Sequence, residues 1–400
     1  DERGFLSAVT DVQGLRSTFH TVPVCHWILQ MTTPYDTNSF EINDPGGTNA
    51  PLDMRCVRVT EEGEDKHHLY LFLASNGNLP SSAPAGSIPS TAPYSSYLDT
   101  TNLHLRNSFY WSPEQYKQLW SGQTTNCDIW TLTNLANLRI ARMRHWLLAD
   151  SNTISETLSL ERPPSPDGSA DGAITWYDYA GKTNASFQGA QVFPLLSAQV
   201  QPDGTSCYVR TERNSLGYVT NEVSTYLSNG AVALRTQTYK YATNGIDLLI
   251  VTNALGLRVS SNAYNSFHQI VTNFNALNER TTYAYDAKQR LQSVSLPTGL
   301  TITNAYYSDT DPNLSRRGYL SKTVQVGFAT NTFDYTNGLV WTHEDPRGLK
   351  VTNTWDALQR LRKVAFPDGT YITNSYDKLD LVKVVDRLGH TNTFGYNAVR

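Results

Sequence analysis

Few residues in this 400-residue chain are spaced for chemistry. His67-His68 follows the acidic run Glu61-Glu62-Gly63-Glu64-Asp65. Neighbouring residues of a strand point to opposite faces, so this pair is poorly placed to chelate one metal, and a solvated turn is the expectation. Cys25-His26 could join Cys56 in a metal site only by coincidence of folding. The four cysteines, Cys25, Cys56, Cys127 and Cys207, are spaced too widely for a zinc site or a dense disulfide framework. Buried free thiols are expected, with one or two disulfides as the alternative in an oxidising compartment. Arg139, Arg142, Arg144 and His145 form a basic cluster beside Trp146. Forked guanidinium donors there could grip an anion or a polysaccharide; the plainer expectation is pairing with local acids. There is no Gly-x-Ser-x-Gly elbow, phosphate-cradling glycine loop or His-Glu-x-x-His motif, and the scattered carboxylates do not sort into an acid/base couple. The sequence therefore assigns no catalytic, cofactor or metal residue.

Composition excludes further classes. The net charge of −4 gives no footprint for sequence-independent nucleic-acid binding. No run approaches the ~18 apolar residues of a membrane-spanning helix. Charged residues are 17%, below the ~25% of an average soluble domain. With 8 Trp, 23 Tyr and 13 Phe the chain is too aromatic for disorder.

The elements that must position these residues show a repeat. Aromatics recur at Tyr264, Tyr285, Tyr306, Tyr335, Trp355, Tyr376 and Tyr396, 20 or 21 residues apart except for one gap of 29. That gap holds Ser308-Asp309-Thr310-Asp311-Pro312-Asn313, read as an extended loop. A glycine follows the aromatic by 13 or 14 positions at Gly299, Gly348, Gly369 and Gly389, and Asn278 takes the matching place after Tyr264. Gly and Asn tolerate positive φ, and Asp345-Pro346-Arg347-Gly348 is a type I turn signal closing on such a residue. The flanks, Leu361 to Phe366 and Thr370 to Tyr376, alternate as strands do. Thr-Asn stands before the aromatic in Thr303-Asn304, Thr352-Asn353 and Thr373-Asn374. Each unit is thus expected to be one β-hairpin, its aromatic packed inward and its glycine turn at the rim. A hairpin is marginal alone, so the units must stack by strand pairing, and a many-stranded sheet must twist and curl. Exposed aromatics would suit sugar binding; a ladder of packed tyrosines is the simpler expectation.

At Tyr285-Asp286-Ala287-Lys288-Gln289-Arg290-Leu291 and Trp355-Asp356-Ala357-Leu358-Gln359-Arg360-Leu361 the sequence resembles the YD (Rhs) repeat family. It departs from that pattern in carrying Gln where Gly often precedes Arg-Leu, and Trp355 for Tyr. The resemblance implies an all-β fold of stacked hairpins forming a curled or spiral shell around a C-terminal, often toxic, domain, in a protein that a bacterium secretes, exports or displays. The partners it implies are the rest of the same polypeptide, with further repeats and the enclosed domain. Teneurin-like YD shells of animal cell surfaces suggest the alternative of a glycan-binding adhesion module. A hydrolase on a β-solenoid or propeller is a third reading. Asp345-Pro346-Arg347-Gly348-Leu349 resembles the motif at which bacterial members cut themselves, but it lies in register with the other turns and is read as one of them.

Three regions follow: a repeat-like unit over 1–20; an irregular β segment over 21–160, with a loop at 75–101 and a short helix at about 112–120; and the array over 161–400, most regular at 241–400. Arg139 to Leu148 reads equally as helix or strand. Asn107-Ser108-Phe109-Tyr110-Trp111 and Arg144-His145-Trp146-Leu147 also resemble an irregular segment of large bacterial YD proteins. Both chain ends read as cuts through a longer protein, which would expose strand edges and favour association.

Overall fold

The computed structural model describes residues 6–11, 14–22, 27–43, 54–62, 66–75, 77–90, 97–119, 132 and 134–396. Cys25, His26, Cys127, Gly4-Phe5, the Gly63-Glu64-Asp65 end of the acidic run and Asn397 to Arg400 lie outside them. The fold is all-β: among the described residues 28 strands form antiparallel ladders, with two α-helices and one short 3₁₀ helix. The chain divides into two compact units. One is built on Thr18–Ile246, with Asp1–Ser7 and Thr252–Gly256; the other on Leu257–Arg400, with Ala8–Ser17 and Asp247–Val251.

In the first unit each strand pairs antiparallel with the next in sequence, from Ile28–Thr32 through Lys66–Leu73, Asn107–Trp111, Arg142–Leu148 and Ile154–Arg162 to Ala231–Tyr241. Around its centre the burial alternates: along Asn107–Trp111 every second residue is buried. Leu69, Leu71, Leu73, Phe109, Trp111, Met143, Leu160 and Trp176 form the centre of a core. The loop expected at 75–101 covers it: Leu98 and Asp99 are buried, and the Trp176 indole N–H donates to the Ser87 carbonyl at 2.8 Å. The expected helix is Pro113–Leu119, and at its start Ser112 N–H donates to the Gln115 side chain at 2.9 Å. The segment read as helix or strand is both in succession. Leu135–Ile140 is a helix capped by Asn134, and Arg142–Leu148 a strand.

The second unit has no comparable core. From Arg258–Tyr264 to Thr391–Thr393 its strands again pair in sequence order. Their side chains are mostly half-buried; Tyr335 is the buried aromatic, at 8% exposure. A sheet without such a core must be held by its turns and by links between neighbouring strands, and those links are where the repeat residues sit.

Candidate functional site

Every repeat aromatic makes the same long-range bond. Tyr264, Tyr285, Tyr306, Tyr335, Tyr376 and Tyr396 donate their hydroxyls to the carbonyls of Leu248, Ile270, Leu291, Leu320, Leu361 and Leu381, at 3.1, 2.9, 2.8, 2.9, 3.2 and 2.9 Å. Trp355 does the same with its indole N–H, to Val340 at 3.0 Å. Trp is therefore a chemically equivalent replacement at this position, because it keeps the donor. The carbonyl is available for a local reason. Strand Tyr371–Asp377 pairs with Leu361–Ala365 only over Tyr371 to Thr373. Beyond that the backbones part and Leu361, which pairs with Trp355 on its other side, has no ladder partner in this strand. Asn374 Nδ2 donates to its carbonyl at 2.9 Å and Tyr376 adds the second bond. Asn262, Asn304 and Asn353 repeat the arrangement on Leu248, Leu291 and Val340. Two side-chain donors thus clasp one orphan carbonyl where the ladder would otherwise fray. The register shifts by one residue at Tyr264, Tyr285, Tyr306, Tyr335, Trp355 and Tyr376, so each of these clasps sits on a β-bulge.

The glycines lie where expected. Gly299, Gly348, Gly369 and Gly389 have φ of +83°, +77°, +82° and +87°. At Gly348 the turn closes through Gly348 N–H to the Asp345 carbonyl at 2.9 Å and Asp345 N–H to the Leu349 carbonyl at 3.0 Å. Each unit carries a second turn that the sequence reading does not separate. It begins at the residue after the aromatic, and its left-handed position is held by Gln289 or Gln359, at φ +64° and +62°. In these turns Asp286 and Asp356 accept backbone N–H groups and pair with Arg290 and Arg360, both at 2.8 Å. The arginines then lie over the rings of Tyr306 and Tyr376, the aromatics of the next unit, at 4.4 and 4.2 Å. The N–H of Arg290 holds the Asp286 carboxyl below its usual range, against an opposing pull from burial. At Asp356 burial raises the pKa and the Arg360 and Leu358 donors outweigh it, leaving it lowered. Burial pushes the hydroxyls of Tyr285, Tyr306 and Tyr335 up, so they stay protonated donors at neutral pH.

The other candidates are dispersed. His67 and His68 lie on strand Lys66–Leu73 rather than in a solvated turn, because the strand runs on to the end of the hairpin. His67 meets Thr60 and His68 meets Glu61 and Tyr110. Among the described residues no group of three His, Cys, Asp or Glu could hold a metal. Cys56 is buried and Cys207 half-buried, and no disulfide joins the two. The basic cluster is split in part: Arg142 and Arg144 stay together and line one open pocket with Arg55, Tyr70 and Tyr110, while the other two leave it. Arg139 pairs with Asp171 at 3.2 Å, Arg144 with Glu161 at 3.5 Å, and His145 turns to the core. Asp345 is an ordinary turn carboxylate, paired with Arg347 at 2.6 Å.

One buried polar group had no sequence signal. Asp99, from the loop, meets Arg106 at 2.8 Å and His145 at 3.4 Å, and His145 Nδ1 lies 3.0 Å from Asn107 Oδ1. Nearby, Lys182 donates to the Tyr97 carbonyl and pairs with Asp178 at 3.5 Å. Burial lowers Arg106 and Lys182 and raises Asp178. These charges pin the loop onto the core; their partners come from distant strands, so only the fold assembles them.

No family model and no curated protein matches the sequence. Among solved structures, the chain is similar to the crystal structures of TcdB2-TccC3-TEV and TcdB2-TccC3-Cdc42. Identities are 13% and 12%, TM-scores 0.39 and 0.40, with 95% and 96% of this chain and 22% of each of those chains covered. It is also similar to the Photorhabdus luminescens Tc holotoxin pore, at 11% identity and TM-score 0.37, over 96% of this chain and 28% of that one. The chain thus spans less than a third of the length of each. No described helix is long and apolar enough to cross a membrane.

Proposed function

We propose that this chain is a non-enzymatic wall segment of a larger YD-repeat protein, part of a β-shell that encloses a C-terminal toxin or effector domain of the same polypeptide after export from a bacterium. The observation that carries the reading is the aromatic donor bond, made seven times to a carbonyl 15 or 16 residues back and doubled by an Asn amide in four of them. Each clasp closes the open end of one hairpin by joining its two strands, and each Arg290-type stack ties a turn to the following unit. With the ladder that pairs each hairpin to the next, they support a continuous sheet, which a barrier requires. Potential acids and bases of the repeat, such as Asp286, Asp356 and the tyrosine hydroxyls, are spent on turns and carbonyls.

The test is protease protection in the complete parent polypeptide. The domain following the repeats should survive a protease concentration that digests the same domain expressed alone. Equal digestion of both would contradict enclosure.

A further inference from the structure

The two arginines that stay together lie on the face of the first unit opposite its core. Tyr70 on that face is 47% exposed, while its neighbours Leu69 and Leu71 point into the core. The ladder sets what surrounds the arginines. Arg142 pairs with Tyr110, Tyr110 with Tyr70, and Tyr70 with Val57. Two residues along, Arg144 pairs with Ser108, Ser108 with Phe72, and Phe72 with Arg55. Paired residues share a face, so the two rows make one surface: a floor of Tyr70, Tyr110 and Phe72 with arginines at three of its corners. This surface is an open pocket of about 510 Å³.

Its charge is not balanced locally. No Asp or Glu lines the pocket. Among the described residues Arg142 pairs with no carboxylate. Arg144 Nε is buried, 3.5 Å from Glu161 and without a hydrogen bond. Glu161 is shared, because it also accepts the Tyr177 hydroxyl at 3.2 Å. The polar atoms of the floor are engaged: the Tyr110 hydroxyl meets His68 Nδ1 at 2.9 Å, and Ser108 Oγ accepts the Trp146 indole N–H at 2.9 Å. The pocket therefore presents forked guanidinium donors beside aromatic carbon.

Spacing narrows what fits. Alternate residues of a strand stand about 7 Å apart, so Arg142 and Arg144 match alternate side chains of an extended peptide. Arg55 lies three strands away across the floor, about 14 Å. A long polyanion such as a nucleic acid would overrun the patch, since Glu161 borders it at Arg144, and Glu61 borders it at His68, 3.1 Å away. A neutral ligand would leave the guanidiniums without counter-charge. We infer that this pocket docks an extended acidic peptide segment of a partner protein, with carboxylates at alternate positions on Arg142 and Arg144 and their methylene stems on the aromatic floor. These arginines take no part in the clasps or turns of the repeats, so the docking site stands or falls independently of the wall.

The test titrates the full chain into a fluorescein-labelled decapeptide of alternating glutamate and threonine, read by anisotropy. Two control peptides carry glutamine or lysine for glutamate, and a short labelled oligothymidylate is the third probe. The glutamate peptide should bind, the controls about tenfold more weakly or worse, and its affinity should fall as salt rises. Arg142→Gln should weaken binding about tenfold, as loss of one charge-assisted contact does, with the melting temperature retained. Arg280→Gln, at an exposed arginine outside the pocket, should bind as the parent does. If Arg142→Gln folds poorly, Arg142→Lys keeps the charge, deletes the fork, and should still weaken binding several-fold. No binding of the glutamate peptide, equal binding of all three peptides, tighter binding of the oligothymidylate, or parent-like binding by the folded variant overturns the inference. So does self-association of the parent that Arg142→Gln abolishes, which would assign this face to a second copy of the chain.

Discussion

The Tyr376 hydroxyl is a discrete unit of the clasp, and its removal should have a measurable cost. Tyr376→Phe should lower unfolding free energy by about 1 kcal/mol, the usual net value of one hydrogen bond. Adding Asn374→Ala should cost more than the two single changes summed, because Leu361 then loses both side-chain donors. Urea denaturation of the four proteins gives the coupling; strict additivity would mean that the two donors do not share one carbonyl. At the turns, Gly369 and Gln359 should respond with opposite signs. A Cβ at Gly369 would meet nothing within 4 Å, so Gly369→Ala isolates the conformational cost of φ +82°, roughly 1 kcal/mol of lost stability. Gln359 already carries that strain, so Gln359→Gly should gain a similar amount, up to about 1 kcal/mol. Losses at both positions would refute the shared turn geometry.

At the scale of the hairpin, turn carboxylates dominate the response to pH. Side-chain bonds from Arg347 and Thr370 hold Asp345 and Asp368 low. At Asp386 burial opposes and the His390 donors win. With Asp286 and Asp356, these groups titrate lower folded than unfolded. Their contribution is therefore present above the unfolded value near 3.9 and is lost as pH falls through the lower folded values. The urea midpoint should be nearly flat from about pH 7 to pH 5 and fall below about pH 4; a midpoint that rose in acid would contradict the sign. Much of this element is legible in the sequence. Gly348, Gly369 and Gly389 mark one turn of each unit through their φ, and the alternation around them marks the strands. The turn after the aromatic is harder to see because Gln289 and Gln359 occupy positions where glycine would announce it. The clasp could not be read from spacing, since its acceptor is a backbone carbonyl left open where the two strands of a hairpin part. Asn304, Asn353 and Asn374 were its one visible trace.

At the scale of the whole molecule, the two units differ in what holds them. The first buries Leu69, Phe109, Trp111 and Trp176 under a covering loop; the second relies on neighbours. Hydrogen exchange should therefore be slowest in Leu69 to Leu73 and Phe109 to Trp111, and faster along Tyr371 to Val385. Uniform protection would indicate that the repeat ladder has a core of its own. The central claim is that the clasped hairpins are one continuous wall around a chamber. Cryo-electron microscopy of the complete parent polypeptide tests it most directly. The expected map shows these hairpins edge to edge in a closed shell, with density for the following domain inside. A map with the ladder free in solvent and that domain outside it would contradict the account.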